Sequence, residues 1–338
     1  MFEIKVLSKE DIRKVMDLSR VIKDVESVYR LKSRGETVVW PTVFYEFDPG
    51  KADMDIKSGL LKSAGVFGHK TVTWFGANKE LGIPELTGVI VIYDAGTGIP
   101  LGVLDASYIT GIRTGAAGAI GAKYLAREDS KNLLLLGTGM QAVYQIAAML
   151  TLWKGVETVR VANVVHPEKA VSFAAGIREK MKREFGIPCD HVRFEAVGHL
   201  EKAVSDSDII ITVTPSRKPM IRKEWVRAGT HFSCIGADMC GKEEIDPEIF
   251  RDAKIYVDDK THCMETGEIE IPLKTNVIGE DCVCGEIGDL LEGKIPGRGS
   301  EEEITVFDAA GMALLDIAVA KTAMDLADEK NLGSSVNF

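Results

Sequence analysis

The stretch NLLLLGTGMQA, residues 132–142, decides the fold of this chain. Its four leucines predict a buried strand, and the Gly-Thr-Gly after them predicts a tight turn that opens a helix. Gly137, Gly139 and Ala142 fit the pattern G-x-G-x-x-G/A. In that pattern the first glycine permits the turn, the second lets the backbone approach a pyrophosphate, and a small third residue lets helix and strand pack. Glycine pairs also occur at other buried turns, so the surrounding sequence has to decide.

The residues after Glu128 alternate between strand and helix patterns. Apolar strands are predicted at 132–136, 157–162, 191–195, 208–213, 230–235 and 254–258. Helical segments such as MQAVYQIAAMLTLWK and HPEKAVSFAAGIREKMKREFG lie between several of these strands. Such alternation predicts right-handed crossovers and a doubly wound parallel α/β sheet of Rossmann type. Since the glycine turn is the first strand-to-helix turn of this run, we expect it to bind the cofactor pyrophosphate at the N-terminus of the helix.

The first third of the chain follows a different pattern. One helix is predicted from the near-helical spacing in SKEDIRKVMDLSRVIKDVESVYRL, with Ser8 as its N-cap. Stretches rich in β-branched and aromatic residues follow and predict a mostly antiparallel sheet, in which DAGTG forms a hairpin turn. Next comes a helix over Tyr108–Arg127 with many small residues. After the strand ITVFD, an amphipathic helix is expected to return and pack on the first domain.

These patterns give the expected domain limits. Residues 1–118 and 309–338 are predicted to form a smaller α+β domain for substrate binding and dimerisation, and residues 119–308 a dinucleotide-binding domain.

Composition limits the possible partners. The chain has 338 residues, 45% of them hydrophobic, and a formal net charge of −10. Nucleic acids and anionic membranes require basic surfaces, so neither is expected as a partner. The N-terminus is charged and does not resemble a signal peptide. We therefore expect a soluble, cytoplasmic protein. Its six cysteines include only one close pair, CVC, which predicts reduced thiols and no metal site.

Three side chains are of the types that a nicotinamide enzyme needs to hold a substrate and move a proton. Asp238 follows a predicted strand, Lys70 lies in an apolar strand-like run, and Arg113 lies among small residues on a helix. A lysine, an arginine and an acid can clamp a carboxylate and move a proton. Each also has a structural alternative: Asp238 as a turn cap, Lys70 as an edge lysine that extends to solvent, and Arg113 as a surface arginine. His231 and His262 are explained by packing or solvation, which disfavours a hydroxy-acid dehydrogenase that uses a histidine.

The end of the second strand of the dinucleotide unit selects the cofactor. An acidic residue there binds the ribose 2′-hydroxyl of NAD, and its absence admits the 2′-phosphate of NADP. Asn163 is the expected position, and no Asp or Glu stands beside it in VRVANVVH. His166 and Lys169 could meet a phosphate or simply begin a solvated helix. The sequence thus predicts NAD or NADP, with a slight preference for NADP.

Together these segments resemble the ornithine cyclodeaminase/mu-crystallin family. The resemblance rests on ITGIRTGAAGAIGAKYLA, LLGTGMQA, IGADMCGKEEID, IYVDD with TGEI, and EEITVFDAAGMALLDIAVAKTA, which follow one another in the expected order over about residues 65–325. Members use NAD(H) or NADP(H) with small amino acids or their imines. Some are amino-acid dehydrogenases or ketimine reductases and some are cyclodeaminases, while mu-crystallin binds a ligand and NADPH. The resemblance implies a homodimer and these three possible functions.

The resemblance also assigns roles. Lys70 corresponds to a substrate-contacting lysine, Arg113 to the arginine that binds the substrate carboxylate, Asp238 to the acid/base residue and Lys242 to a lysine beside the cofactor. Catalysis is assigned to Asp238 and Lys70. The full set of expected cofactor contacts is Gly137, Thr138, Gly139, Met140, Gln141, Asn163, Thr114, Thr214 and Lys242.

Departures from the family pattern concern the substrate side. An arginine that often completes the carboxylate clamp after the first strand is absent, since WPTVFYEF (residues 40–47) stands there. The usual Met-Pro segment is also missing, and Ala309 replaces a small polar residue. Lys57 is the candidate that restores the missing positive charge, although a solvated strand lysine is equally compatible with the sequence. The substrate side is therefore the least determined part of the site.

Overall fold

The computed structural model describes residues 2–338, which form two compact units. The first unit comprises the chain up to Arg113 together with Met312–Phe338, and the second is Thr114–Gly311. Within the described residues, no helix combines the length and apolar character needed to cross a membrane. The functions assigned above to the two domains stay predictions.

The first unit is built on an eight-stranded sheet. Its strands are β1 (Glu3–Leu7), β2 (Thr37–Val39), β3 (Val43–Asp48), β4 (Ala52–Leu61), β5 (Val66–Phe75), β6 (Leu86–Asp94), β7 (Pro100–Asp105) and β18 (Ser334–Asn337). Their order is β18-β1-β7-β6-β5-β4-β2, with β3 also paired to β4. All pairs are antiparallel except β1 with β7. The predicted antiparallel sheet is confirmed, and DAGTG joins β6 to β7 as expected.

The first helix differs from its prediction. Two helices, α1 (Lys9–Val15) and α2 (Leu18–Ser33), replace the single one. Ser8 caps α1 as predicted, in a capping box with Asp11. The break arises because Met16 is extended and the Asp17 carboxylate accepts a hydrogen bond from the backbone N–H of Arg20, which starts a second helix.

The C-terminal helix α10 (Ala313–Glu329) packs against this sheet and against α2, in agreement with the prediction. Contact with β4 is close because Gly59 has no side chain: a Cβ there would lie 2.7 Å from Cδ2 of Leu314. On this face of the sheet the side chains of Lys57, Leu61 and Lys70 are buried.

The second unit contains the parallel sheet. Its strands are β8 (Asn132–Leu136), β9 (Thr158–Ala162), β10 (Arg193–Ala196), β11 (Ile209–Thr212), β13 (His231–Cys234), β15 (Ala253–Val257), β16 (Val283–Glu286) and β17 (Ile304–Asp308). They run in the order β10-β9-β8-β11-β13-β17-β15-β16, and all pairs are parallel. Helices α4 (Met140–Leu152), α5 (Pro167–Phe185) and α6 (Leu200–Ser205) connect its first strands. Helices α7 (Lys260–Thr266) and α8 (Glu270–Lys274) lie between β15 and β16, and α9 (Ile287–Leu291) follows β16. The doubly wound fold is confirmed, and the strand order reverses between β8 and β11, where such sheets bind ligands.

The packing of helix α3 (Ala106–Leu125) explains why it contains many small residues. A Cβ at Gly115 would lie 2.4 Å from the Tyr144 carbonyl oxygen, and one at Gly121 would lie 2.2 Å from the Phe307 ring. The glycines therefore let α4 and β17 approach α3 closely. Some elements were not predicted from the sequence. They are the end strands β1 and β18 and a two-stranded sheet of β12 (Arg217–Ile221) with β14 (Glu243–Ile245).

Candidate active site

The glycine turn lies at the reversal of strand order, after β8. Gly137 has φ +117°, and a Cβ there would lie 2.7 Å from the carbonyl oxygen of Val213, so this position requires glycine. Nothing lies within 4 Å of a Cβ built on Gly139, which is the N-cap of α4 and provides no side-chain cap. The first amides of α4 therefore stand at an open, uncapped helix N-terminus. Their position and polarity suit a pyrophosphate.

Asn163, at the end of β9, is held by two hydrogen bonds. Its Nδ2 donates to Oγ1 of Thr138 at 2.7 Å, and its Oδ1 accepts from the backbone N–H of His166 at 2.8 Å. The next residues, Val164 and Val165, are exposed. Asn163 thus ties the glycine turn to the loop where the adenosine ribose binds in such folds. No carboxylate is provided by residues 163–167.

Two threonines on the expected cofactor list have distinct environments. Thr114 is buried, and its Oγ1 has no hydrogen-bond partner among the described residues, while its carbonyl accepts from Nε2 of Gln145 at 3.0 Å. An orphaned buried hydroxyl is costly unless a ligand satisfies it. Thr214, after β11, donates its backbone N–H to Oε1 of Glu244 at 2.7 Å.

Asp238 lies on the loop after β13, with half of its side chain exposed. Its carboxylate pairs with Nζ of Lys242 four residues later in the same loop. The structure therefore brings together the predicted acid/base residue and the lysine predicted beside the cofactor. A nearby cation favours the ionised carboxylate, which is the form that a general base needs.

Buried carboxyl groups lie next to the ends of strands β11 and β13. Glu244 accepts from the N–H groups of Thr214 and Gly236, the second at 3.0 Å. Glu268 accepts from the N–H groups of Glu244 and Ile245 at 2.6 and 2.8 Å. Both are completely buried, and burial raises the pKa of each carboxyl.

Asp308, the last residue of β17, belongs to the same group. It is completely buried and accepts from the N–H of Ile269 at 3.1 Å. Burial raises its pKa to about 8. These three acids bind backbone N–H groups of loops and of strand β14, so they hold the backbone in place rather than expose charge to a substrate.

In the first unit, the structure brings Lys70 and Arg113 together around Asp316, with Lys57 beside Lys70 on the neighbouring strand. Lys57 and Lys70 are directly opposite each other on β4 and β5. Nζ of Lys70 lies 3.3 Å from Oδ1 and 3.2 Å from Oδ2 of Asp316, and Nε of Arg113 lies 3.1 Å from Oδ1. Lys57, Lys70, Arg113 and Asp316 are 7%, 2%, 6% and 0% exposed. The solvated alternatives for the three cations are thus wrong.

The ionisation of this cation cluster (Lys57, Lys70, Arg113, with Asp316) is set by competing effects. Burial lowers the pKa of Lys70 to about 8, against the attraction of Asp316. Burial would raise the pKa of Asp316, but the charges of Arg113 and Lys70 outweigh it and hold that pKa below its usual value. Asp316 is therefore ionised, and Lys70 can change protonation state near neutral pH.

The segment WPTVFYEF, which lacks the expected arginine, forms β3 and its approach. Trp40, Val43, Tyr45 and Phe47 are exposed, by 38% to 57%. This segment contributes no residue to the cation cluster, whereas Lys57 does.

His231 is fully buried and hydrogen-bonded to Thr305 and Ser233. Burial lowers its pKa to about 3, which agrees with the packed role expected for it.

Sequence reasoning missed Asp316 and the buried acids. Asp316 interrupts the apolar run GMALLDIAVA, and an acid within a buried helix face is the signal that could have identified it. Asp308 likewise ends an apolar strand, and Glu244 lies in the short buried strand β14.

Comparisons with known proteins agree with this geometry. The model of the ornithine cyclodeaminase/mu-crystallin family matches residues 3–331. The chain is 36% identical over 336 residues to an alanine dehydrogenase of Archaeoglobus fulgidus, covering 99% of both chains. It is similar to the structure of an archaeal alanine dehydrogenase dimer with bound NAD, with a TM-score of 0.90, 36% identity and complete coverage of both chains. It is also similar to Delta(1)-pyrroline-2-carboxylate reductase of Thermococcus litoralis in complex with NADH and L-proline, with a TM-score of 0.90, 30% identity and coverage of 98% and 100%.

Proposed function

The chain belongs to the ornithine cyclodeaminase/mu-crystallin family, and from this premise we propose that it is an NAD(P)-dependent enzyme that transfers hydride between a small amino acid and its imine. The observation that carries the proposal is the buried cation cluster, because Lys70 and Arg113 share one carboxylate although a single cation would neutralise it, and Lys57 lies opposite Lys70. Two of the similar proteins are an alanine dehydrogenase and a pyrroline-carboxylate reductase.

The open N-terminus of α4 and the buried hydroxyl of Thr114 fit a nicotinamide dinucleotide. The glycine turn from Gly137 to Gln141 would hold the pyrophosphate, Asn163 would lie near the adenosine ribose, and Thr114, Thr214 and Lys242 would contact the rest of the molecule. When bound, the nicotinamide ring accepts or supplies the hydride. The similar structures contain NAD or NADH, and the slight preference for NADP stays a prediction from Asn163.

The chain's own side chains supply binding and proton transfer. Arg113 and Lys70 would hold the substrate carboxylate, with Lys57 adding a third positive charge. Guanidinium and ammonium groups in a buried site bind a carboxylate strongly. Asp238 would accept the proton from the substrate amine or from an attacking water. Lys70 is also a candidate proton donor because its pKa of about 8 is close to neutrality.

The electrostatic surroundings of Lys70 support a substrate that carries a carboxylate. Arg113 and Lys57 act on Lys70 as further positive charges, and Asp316 and the half-buried Asp55 act on it as negative ones. Cations this close together can bind the carboxylate that a small amino acid and its imine both carry.

A homodimer is part of the proposal. An archaeal relative is described as a dimer. The exposed apolar residues of β3 support an association surface, because Val43 and Tyr45 lie on one face of the strand and the rings of Tyr45 and Phe47 are 5.1 Å apart.

Hydride transfer is tested with purified protein and a panel of substrates. L-alanine, L-proline and L-ornithine are supplied with NAD or NADP, and pyruvate with ammonia is supplied with NADH or NADPH, while reduced cofactor and free ammonia are measured. Net cofactor turnover is expected. Ammonia release from ornithine without net turnover would instead indicate a cyclodeaminase, and ligand binding with neither signal would indicate an NADPH-dependent binding protein. Either result would refute the proposed reaction.

A further inference from the structure

We propose that Asp316 is a positioning residue that fixes Lys70 and Arg113 for the substrate carboxylate and keeps Lys70 protonated; the substrate part of this inference rests on the proposed function. Its basis is a shared contact. One carboxylate oxygen of Asp316 accepts from both cations, at 3.3 and 3.1 Å, although the two cations come from β5 and α3. Asp316 itself comes from α10, so three elements meet at this side chain.

Asp316 is unlike the other acids of its helix. Asp325, on the same helix, pairs with Lys321 at the surface, and its side chain is 58% exposed. Asp316 is completely buried among the apolar residues Leu315 and Ile317. Burying an unpaired carboxylate is very unfavourable, so its place in this helix depends on the two cations.

The ion pair with Asp316 uses only the Nε group of Arg113. The two Nη groups of the guanidinium lie outside this contact. Guanidinium Nη groups offer paired donors to a carboxylate, so an anchored Nε presents them in a fixed direction. The same acid holds Nζ of Lys70, and the two donors are thereby set relative to each other before a substrate arrives.

Asp316 also decides the charge of Lys70. The groups that act on Lys70 are Asp316 from α10, Arg113 from α3, and Asp55 and Lys57 from β4. Burial, Arg113 and Lys57 favour neutral Lys70, whereas Asp316 and Asp55 favour its protonated form. Asp316 is the larger of the two favourable effects, so its removal would make Lys70 neutral at physiological pH.

The test replaces Asp316 by asparagine, which keeps the shape and removes the charge. Asp325→Asn is the matched control on the same helix. For the wild type and the control, kcat/KM with the amino acid found active is expected to fall above about pH 8, as Lys70 loses its proton. For Asp316→Asn this limb should move down by at least about one pH unit, with KM rising more than kcat falls. A limb that stays in place overturns the proposal and leaves the proposed function intact.

A second measurement does not depend on activity. Lys70 has a lower pKa in the folded protein than in the unfolded chain, so the unfolded chain binds more protons and stability rises with pH above the folded pKa. In Asp316→Asn this rise should begin about one unit lower, so its deficit in denaturation midpoint should shrink between pH 7 and 9. A deficit that does not vary with pH, or a variant unfolded at every pH in that range, overturns the proposal. If the wild type turns over no substrate, the proposed function fails, and this measurement still decides the role of Asp316 in the charge of Lys70.

Discussion

Replacing each of the two glycines of the phosphate turn by alanine should affect a different property. Gly137→Ala should lower the stability of the fold, and Gly139→Ala should weaken cofactor binding. At Gly137 an alanine meets both a backbone obstacle and an unfavourable conformation, since φ is +117° and the Val213 carbonyl oxygen lies 2.7 Å from the new Cβ. A strained positive-φ residue costs about 1–3 kcal/mol, and the steric contact adds to this. Gly137→Ala should therefore lower the free energy of unfolding by at least about 2 kcal/mol.

Gly139→Ala is the matched control within the same turn. The backbone of Gly139 has φ −73° and ψ −168°, which alanine adopts readily, and nothing lies within 4 Å of its Cβ position. The stability change should stay within about 1 kcal/mol, because the weaker N-cap and the more restricted unfolded chain oppose each other. The open space in front of Gly139 is where a pyrophosphate would approach the backbone. A methyl group there should weaken NADH binding at least about tenfold, or about 1.4 kcal/mol.

Both effects are measured directly. Urea denaturation gives the free energy of unfolding of each variant, and the fluorescence of bound NADH gives its dissociation constant. If Gly139→Ala is as stable as the wild type and binds NADH equally well, the turn is not the pyrophosphate site. If Gly137→Ala is as stable as the wild type, the strain argument for Gly137 is wrong.

Three further predictions follow from the site and the core. Asp238→Asn should reduce kcat by at least about a hundredfold, as expected for loss of a general base, while the NADH dissociation constant changes little; an unchanged kcat would remove Asp238 from catalysis. Asn163→Asp should shift the ratio of NADH to NADPH affinity towards NADH at least about tenfold, measured by fluorescence titration, because a carboxylate accepts from the 2′-hydroxyl and repels a 2′-phosphate; equal affinities before and after would separate Asn163 from the ribose. Burial lowers the pKa of His231 to about 3, whereas its ordinary value is 6.5. Between these two pH values the unfolded chain takes up a proton that the folded protein does not, so stability should fall as the pH drops from 6.5 towards 3. The full effect is about 5 kcal/mol, and His231→Gln should lose this part of the acid dependence in denaturation curves; an identical acid limb in both proteins would contradict it.

The sequence was a good guide to the second unit because its signals are local. A strand such as Asn132–Leu136 is a short apolar run bounded by polar residues, and the Gly137 turn and the Pro167 helix start are marked by single residue types. Ser8 was recognised as a cap for the same reason. In each case the residues that determine the element lie within a few positions of one another.

The contacts that the sequence did not reveal are long-range or depend on weak local patterns. Asp316 meets Lys70 across 246 positions, and nothing local in either segment indicates the partner. The strand β18, SSVN, has no apolar alternation and exists because it pairs with β1 at the opposite end of the chain. The break at Asp17 was missed because Asp also occurs inside helices, and only the extended Met16 before it distinguishes a cap.

The three buried acids Glu244, Glu268 and Asp308 have a consequence for how this site can change over evolution or in design. Glu244 holds the loops after β11 and β13, Glu268 holds strand β14, and Asp308 holds the turn at Ile269. In each case the donors are backbone N–H groups, which every residue except proline provides. The path of these loops therefore does not depend on the side chains they carry. Residues such as Thr214 and Asp238 can be exchanged to accept a different amino acid while the loops keep their course, provided that proline is avoided at the donating positions.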